Sequence, residues 1–175
     1  MRKKLLIIVL CCSFSLIGFA QKNKDFILTL HKDTVFGQIK INPEEEHITF
    51  THQRKRIYFH PKTLKAFGIY KKDTKAYRIY KSITNARGQS MFVEVLNEGK
   101  VNLYKYQKNK IIAQAKYHKE FYYLGHSDKK LVTLTPDSYE KTMKVLVKDY
   151  PELLTKIAHI SYQEVPQIIA SYNRL

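Results

Sequence analysis

Met91-Phe92-Val93-Glu94-Val95-Leu96-Asn97-Glu98-Gly99-Lys100-Val101-Asn102-Leu103-Tyr104-Lys105-Tyr106 decides the fold class of this chain. Two runs rich in β-branched and aromatic residues, 91–96 and 101–106, flank a polar connector, which is the pattern of an antiparallel hairpin. Gly99 stands where a tight turn is expected to demand a positive φ. The pattern assigns Val93, Val95, Val101 and Leu103 to one face and Glu94, Asn102 and Lys105 to the other.

Upstream of this hairpin the same signals recur. Residues 26–30 and 35–41 are expected to pair around His31-Lys32-Asp33-Thr34, and Asn42-Pro43 ends the second strand. Further strands are expected at 47–51, 56–59, 66–70 and 76–82, with breaks at His60-Pro61 and at Lys71-Lys72-Asp73-Thr74. Downstream, 121–124 and 131–134 form a last pair around Gly125-His126-Ser127-Asp128. Residues 107–118 fit no single period.

After Thr135 the period changes from two to 3.6. Tyr139, Met143, Leu146, Val147 and Tyr150 make a helical stripe, with Pro136 in the first turn and Asp137 and Glu140 as a capping box. A second helix begins at Pro151. A third is capped by Ser161 and Glu164 and tolerates Pro166 near its start. Strands followed by helices predict an α+β, β-rich domain. Its antiparallel sheet has about eight to ten strands and is able to curl into a half-barrel. Residues 26–134 are mainly β and 135–173 helical, and the two to three C-terminal helices pack on the sheet.

The first twenty residues read as an address. Arg2, Lys3 and Lys4 precede an apolar run from Leu5 to Ile17, and Gly18-Phe19-Ala20 offers small residues before Gln21. Charge, short apolar stretch and small-residue cut site are the parts of a secretory signal peptide. The run is too short for a spanning helix, which needs about 20 apolar residues. A lipid-anchored N-terminus at Cys11 or Cys12 fits poorly, because the apolar run continues beyond both. Cleavage leaves a single exported domain, 21–175, and lowers the formal charge from +16 to +13. It also removes both cysteines, so the exported chain has no thiol for a disulfide, a nucleophile or a metal.

Composition narrows the rest. With 44% hydrophobic residues the 175-residue chain can build a core, and no 20–50-residue block recurs, which excludes a repeat array. His47, His52 and His60 lie close in sequence, but none forms a helical zinc pair and His47 and His52 fall on opposite strand faces. Glu44-Glu45-Glu46 reads as a solvated loop, since calcium ligands prefer alternate positions. No nucleophile elbow or phosphate-binding loop is present. No catalytic residue, metal ligand or cofactor is therefore expected.

Cations interleave with tyrosines at Arg54–Tyr58, Tyr70–Lys72 with Lys75–Arg78, and Tyr104–Lys110. Export makes nucleic acid an improbable partner for these stretches and points to anionic headgroups, acidic glycans or an acidic protein. Lys55, Arg56, Lys71, Lys72, Arg78 and Lys105 are the candidate contacts. The simpler alternative is a solvated face that keeps the protein soluble.

The opening Phe26–Leu30 with Asp33-Thr34-Val35-Phe36-Gly37-Gln38-Ile39, the block Phe92–Tyr104 and the closing Tyr162 and Tyr172-Asn173 together resemble a family of exported Bacteroidota proteins of unknown function. In that family the module occurs alone or ahead of an outer-membrane β-barrel domain. The resemblance implies a periplasmic, envelope-associated, non-enzymatic binding or structural module, and brings no catalytic residues. A barrel working with this chain would be a separate protein. An enzyme of unrecognised type is the remaining alternative. Export is checked by intact-mass measurement on protein from cells expressing the full chain, which should begin at Gln21; a retained Met1 would exclude the address.

Overall fold

The computed structural model describes residues 24–42, 46–112, 115–125 and 131–175, with 109–112 and 115–118 described by their backbone. The expected signal peptide, Glu44 and Glu45, and the turn at His126-Ser127-Asp128 lie outside the described residues.

Ten strands form one antiparallel sheet: β1 (Asp25–Leu28), β2 (Thr34–Ile41), β3 (Ile48–His52), β4 (Lys55–Phe59), β5 (Ala66–Lys71), β6 (Ala76–Thr84), β7 (Ser90–Asn97), β8 (Asn102–Ile112), β9 (Ala115–Gly125) and β10 (Val132–Leu134). Their spatial order is β10-β9-β8-β7-β6-β5-β1-β2-β3-β4. Every connection is a neighbour-to-neighbour meander except β4 to β5, which runs through the 3-10 turn Pro61–Thr63. Of the ambiguous stretch 107–118, residues 107–112 and 115–118 lie in β8 and β9, which pair from Asn102↔Gly125 to Ile112↔Ala115.

The sheet is open but folds over itself, as expected for a half-barrel. Cross-strand pairing places Ile27, Phe67 and Val35 on one face, together with Ile39, Phe50 and Ile57. On that inner face Ile48 and Phe50 of β3 share a core with Phe67 of β5, against which Tyr80 and Phe92 of β6 and β7 also pack. Side chains of strands three to five places apart in the sheet can meet only if β2–β4 curl over β5–β7. Gly37 permits this, since a Cβ there would lie 2.5 Å from the Phe50 ring.

Three helices close the rest of the inner face: α1 (Tyr139–Leu146), α2 (Pro151–Ile157) and α3 (Val165–Arg174). Met143, Val147, Leu153, Ile157, Val165, Ile168 and Ile169 bury against Val101, Leu103, Tyr122, Leu124 and Leu134. The outer face carries its own cluster of Met91, Val93, Tyr104 and Tyr123.

Two polar clips tie helices to sheet. The Tyr162 hydroxyl accepts from Tyr122 N (2.9 Å) and donates to Leu134 O (2.7 Å). Tyr122 and Leu134 are direct partners across β9 and β10, so the phenol stands in a gap of that ladder. Asn173, at the end of α3, accepts from Val101 N (3.0 Å) and donates to Val101 O (2.7 Å) and to Asn97 Oδ1.

Several local expectations are corrected. Gly99 does not have a positive φ; among the described glycines only Gly88 does (76°). Gly99 is needed because a Cβ would come within 2.6 Å of the Asn173 side chain. The face assignment of the hairpin also changes. Val95 opposes Tyr104 and Asn97 opposes Leu103, with a bulge at Leu96. Leu103 therefore goes under the helices with Glu94 and Lys105 on its side, while Val93 and Val95 face outward. Asp137 and Glu140 do not cap α1. Ser138 precedes it, with its Oγ accepting from Thr135 N (3.0 Å), and Glu140 instead pairs with Lys144 at 2.6 Å. Pro136 lies in this preceding turn. The Ser161 and Glu164 box is present: the carboxylate accepts from Ser161 N (2.7 Å) and Oγ (2.8 Å), which lowers the Glu164 pKa.

Tyr162→Phe should lower stability by about 1–3 kcal/mol, since it leaves one donor and one acceptor without a partner. Urea unfolding followed by circular dichroism measures this, and an unchanged midpoint would show that the phenol is dispensable.

Candidate functional site

The alternation along β2, β3 and β4 sends one set of side chains inward to the core and the other set outward. Register makes the outward set into rows. Gln38, Thr51 and Arg56 stand in one row, and Lys40, Thr49 and Tyr58 in the next. His47 and His60 extend the pattern past the strand ends, their rings 5.5 Å apart, with Tyr58 edge-on to His47 at 5.2 Å. These residues, with Asn42, line a groove of about 1010 Å³.

The chemistry of this face is one-sided. Its rows hold a lysine, an arginine, hydroxyls, an amide and imidazoles, all able to donate hydrogen bonds. The one carboxylate lining the groove among the described residues is Asp25. Its Oδ2 accepts from Ile39 N and its Oδ1 from Tyr70 N, each at 2.9 Å, so it is committed to backbone. An anionic group laid along the rows meets donors spaced by the strand separation of about 4.8 Å.

The tip of the β3–β4 hairpin is strained. Gln53 (φ 48°) and Arg54 (φ 65°) both occupy the left-handed region, as a two-residue turn of this class requires. Neither residue type suits it, and strain of this kind concentrates where function needs it. The strained turn presents Arg54, Lys55 and Arg56 in succession.

The six sequence-derived contacts do not form a single patch. Arg56 lines the groove. Lys55, its neighbour on β4, is exposed and alternates to the other side of that strand. Lys71 ends β5 and Lys72 lies in the following turn. Arg78 and Lys105 belong to a ladder of alternating charge on the inner face. Arg78 Nε lies 3.0 Å from Glu94 and Lys105 Nζ 3.3 Å from Glu120, and Glu94 directly opposes Lys105. The Tyr80 hydroxyl and Glu94 together raise the Arg78 pKa, while burial raises that of Tyr80.

Sequence reasoning passed over Lys40, Thr49, Thr51 and Tyr58 as contacts, and read His47 and His60 as ordinary surface histidines. The usable signal was the polar half of three successive strands, at 38/40, 49/51 and 56/58. His52 is structural: Nδ1 donates to Phe36 O (2.8 Å) and the ring stacks on Phe50. Among the described residues no group of three His, Cys, Asp or Glu is placed to hold a metal, and no helix is long and apolar enough to cross a membrane.

Comparison with family models, with curated proteins and with solved structures finds no match for this chain.

If the tip is strained for lack of Asn and Gly, Gln53→Asn with Arg54→Gly should stabilise the protein by about 0.5–1 kcal/mol. Urea midpoints of the two forms decide it, and a loss of stability would mean that Gln53 or Arg54 makes a compensating contact.

Proposed function

We propose that the chain is a non-enzymatic, envelope-associated binding or structural module, exported after removal of residues 1–20. Its ligand is an anionic surface polymer, held by the outer face of β2–β4. The observation that carries this reading is the pair of cross-strand rows, Gln38-Thr51-Arg56 and Lys40-Thr49-Tyr58, which contain donors and cations and no carboxylate. The excess of basic residues over the whole chain works in the same direction, by raising the local concentration of polyanions. Tyr58, 60% exposed, gives a sugar ring an apolar surface beside the cations.

A second reading rests on β4, which is one of the sheet's two edges, β10 being the other. Ile57 (45%) and Tyr58 are exposed there, and an edge strand is a template for pairing with another chain. On this reading the partner is an outer-membrane protein, and the basic residues serve solubility and orientation.

Affinity for polygalacturonate, for mixed phosphatidylglycerol and phosphatidylcholine vesicles, and for solubilised outer-membrane protein separates these possibilities. The proposal expects polygalacturonate to bind, to weaken as salt rises, and to lose about tenfold or more on Lys40→Glu with Arg56→Glu. Equal affinity of the variant would overturn the assignment of this face. Retention of one membrane protein at high salt, with no polymer bound, would favour the edge-strand reading.

A further inference from the structure

The β7–β8 junction is continuous at one end and forked at the other. β6 and β7 pair all the way from Tyr80↔Glu94 to Thr84↔Ser90. β8 and β9 pair over their full length. Between β7 and β8, however, pairing stops at Glu94↔Lys105. In a continuous sheet the next partners would have been Val93 with Tyr106, Phe92 with Gln107 and Met91 with Lys108. The β6–β7 and β8–β9 hairpins part there instead.

Peptide groups on both banks are aimed at this fork. Along an antiparallel strand the N–H and C=O of successive residues point alternately to the two neighbours. Ser82 N donates to Lys65 O, towards β5, so Lys81 and Ile83 face β7 and take up the peptide groups of Val93 and Met91. Phe92 is thereby turned to the β8 side. Independently, Tyr122 N is turned to the Tyr162 hydroxyl, away from β8. Its partner Lys105 is then turned to β7, and Gln107, two residues on, faces the same way. Phe92 and Gln107 thus present their backbone to one cleft of about 1090 Å³, whose lining includes Met91, Phe92, Tyr106, Gln107 and Lys108.

We infer that this fork is a strand-acceptor site, filled by an extended acidic segment of a partner protein that pairs with β7 on one side and β8 on the other. The hydrogen-bonding demand comes from the two banks, as in strand addition, with both edges of the guest satisfied. The guest's side-chain pattern follows from the lining. Met91 and Tyr106 offer apolar contact, while Lys62, Arg87 and Lys108 contribute exposed cations. Of the two carboxylates on the lining among the described residues, Glu94 is already engaged by Arg78 at 3.0 Å, and Glu46 stands against Lys62, Arg87 and Lys108, which leaves a positive excess. Alternating apolar and acidic residues satisfy both. This inference does not depend on the β2–β4 face.

The test uses a blocked, fluorescent heptapeptide alternating glutamate and valine, its lysine–valine counterpart, and protein purified from cells expressing the full chain. The glutamate peptide should bind, and amide exchange at Phe92 and Gln107 should slow in its presence. Gln107→Pro removes the N–H that β8 presents to the fork at this position and spares the β8–β9 ladder, so affinity should fall about tenfold. Gln107→Ala keeps that N–H and should bind as the parent does, which separates the backbone from the side-chain bond to Glu120. If the proline variant fails to fold, the exchange data on the parent protein decide alone. Absence of binding, protection elsewhere than at the fork, equal affinity of the proline variant, or equal binding of the lysine peptide would each overturn the inference.

Discussion

Strand β1 is four residues long, and the rest of the sheet depends on it. It pairs with β2, which follows at once, and with β5, about forty residues later. No other strand joins segments so distant in sequence. Remove it, and the sheet separates into β2–β4 and β5–β10. The Asp25 carboxylate extends this joint beyond the last backbone pair, holding Ile39 N on one flank and Tyr70 N on the other. On the opposite face Phe26 lies directly over Gly68, where a Cβ would come within 2.3 Å of the ring. A short strand makes few ladder bonds, so a charge-assisted clip on both flanks and a close ring contact are what fix its position.

The helical tail acts on the other half of the sheet by a similar device. Its apolar side supplies the burial, but burial has no direction and would tolerate sliding. The polar contacts set the position: the Tyr162 phenol inside the β9–β10 ladder and the Asn173 amide on Val101. Lys100 over the Tyr172 ring (5.9 Å) and Tyr150 edge-on to Tyr172 (5.5 Å) reinforce the second contact. The chain's last helix therefore grips the turn of its most strongly patterned hairpin.

These relations explain what the sequence could and could not disclose. Strand alternation and the change of period at Thr135 are local, so the β-then-α order, the hairpins and the Ser161–Glu164 cap were legible. The role of Gly99 was not, because its reason is a contact with Asn173, 74 residues away. The bulge at Leu96 was equally hidden, and it inverts the side on which Leu103 lies. The stretch 107–118 displayed no single period, because polar residues 107–110 give way to the consecutive apolar Ile111 and Ile112. For the candidate site, the sequence showed Arg56 and the cation-rich tip. Lys40 and the histidines became neighbours of Arg56 only through register, and Arg78 and Lys105 found carboxylates that sequence separation conceals.

The fork and the donor face have a common origin in the curl. For β2–β4 to fold over the inner face, the upper part of β7 must follow β6 so that Phe92 packs beside Phe67, their rings 5.1 Å apart. Tyr106 and Phe121 belong instead to the outer-face cluster with Val93 and Tyr123. Neighbouring strands are thus drawn to different cores from this level onward. Glu94 and Lys105 are the last residues that serve both sides, joined through the charge ladder from Arg78 to Glu120, and the sheet parts immediately above them. The same curl turns the polar side of β2–β4 outward, and the Asp25 clip keeps occupied the one lining carboxylate among the described residues. A sheet that flattened would close the fork and split the core that Phe50 and Phe67 share, because one curvature sustains both.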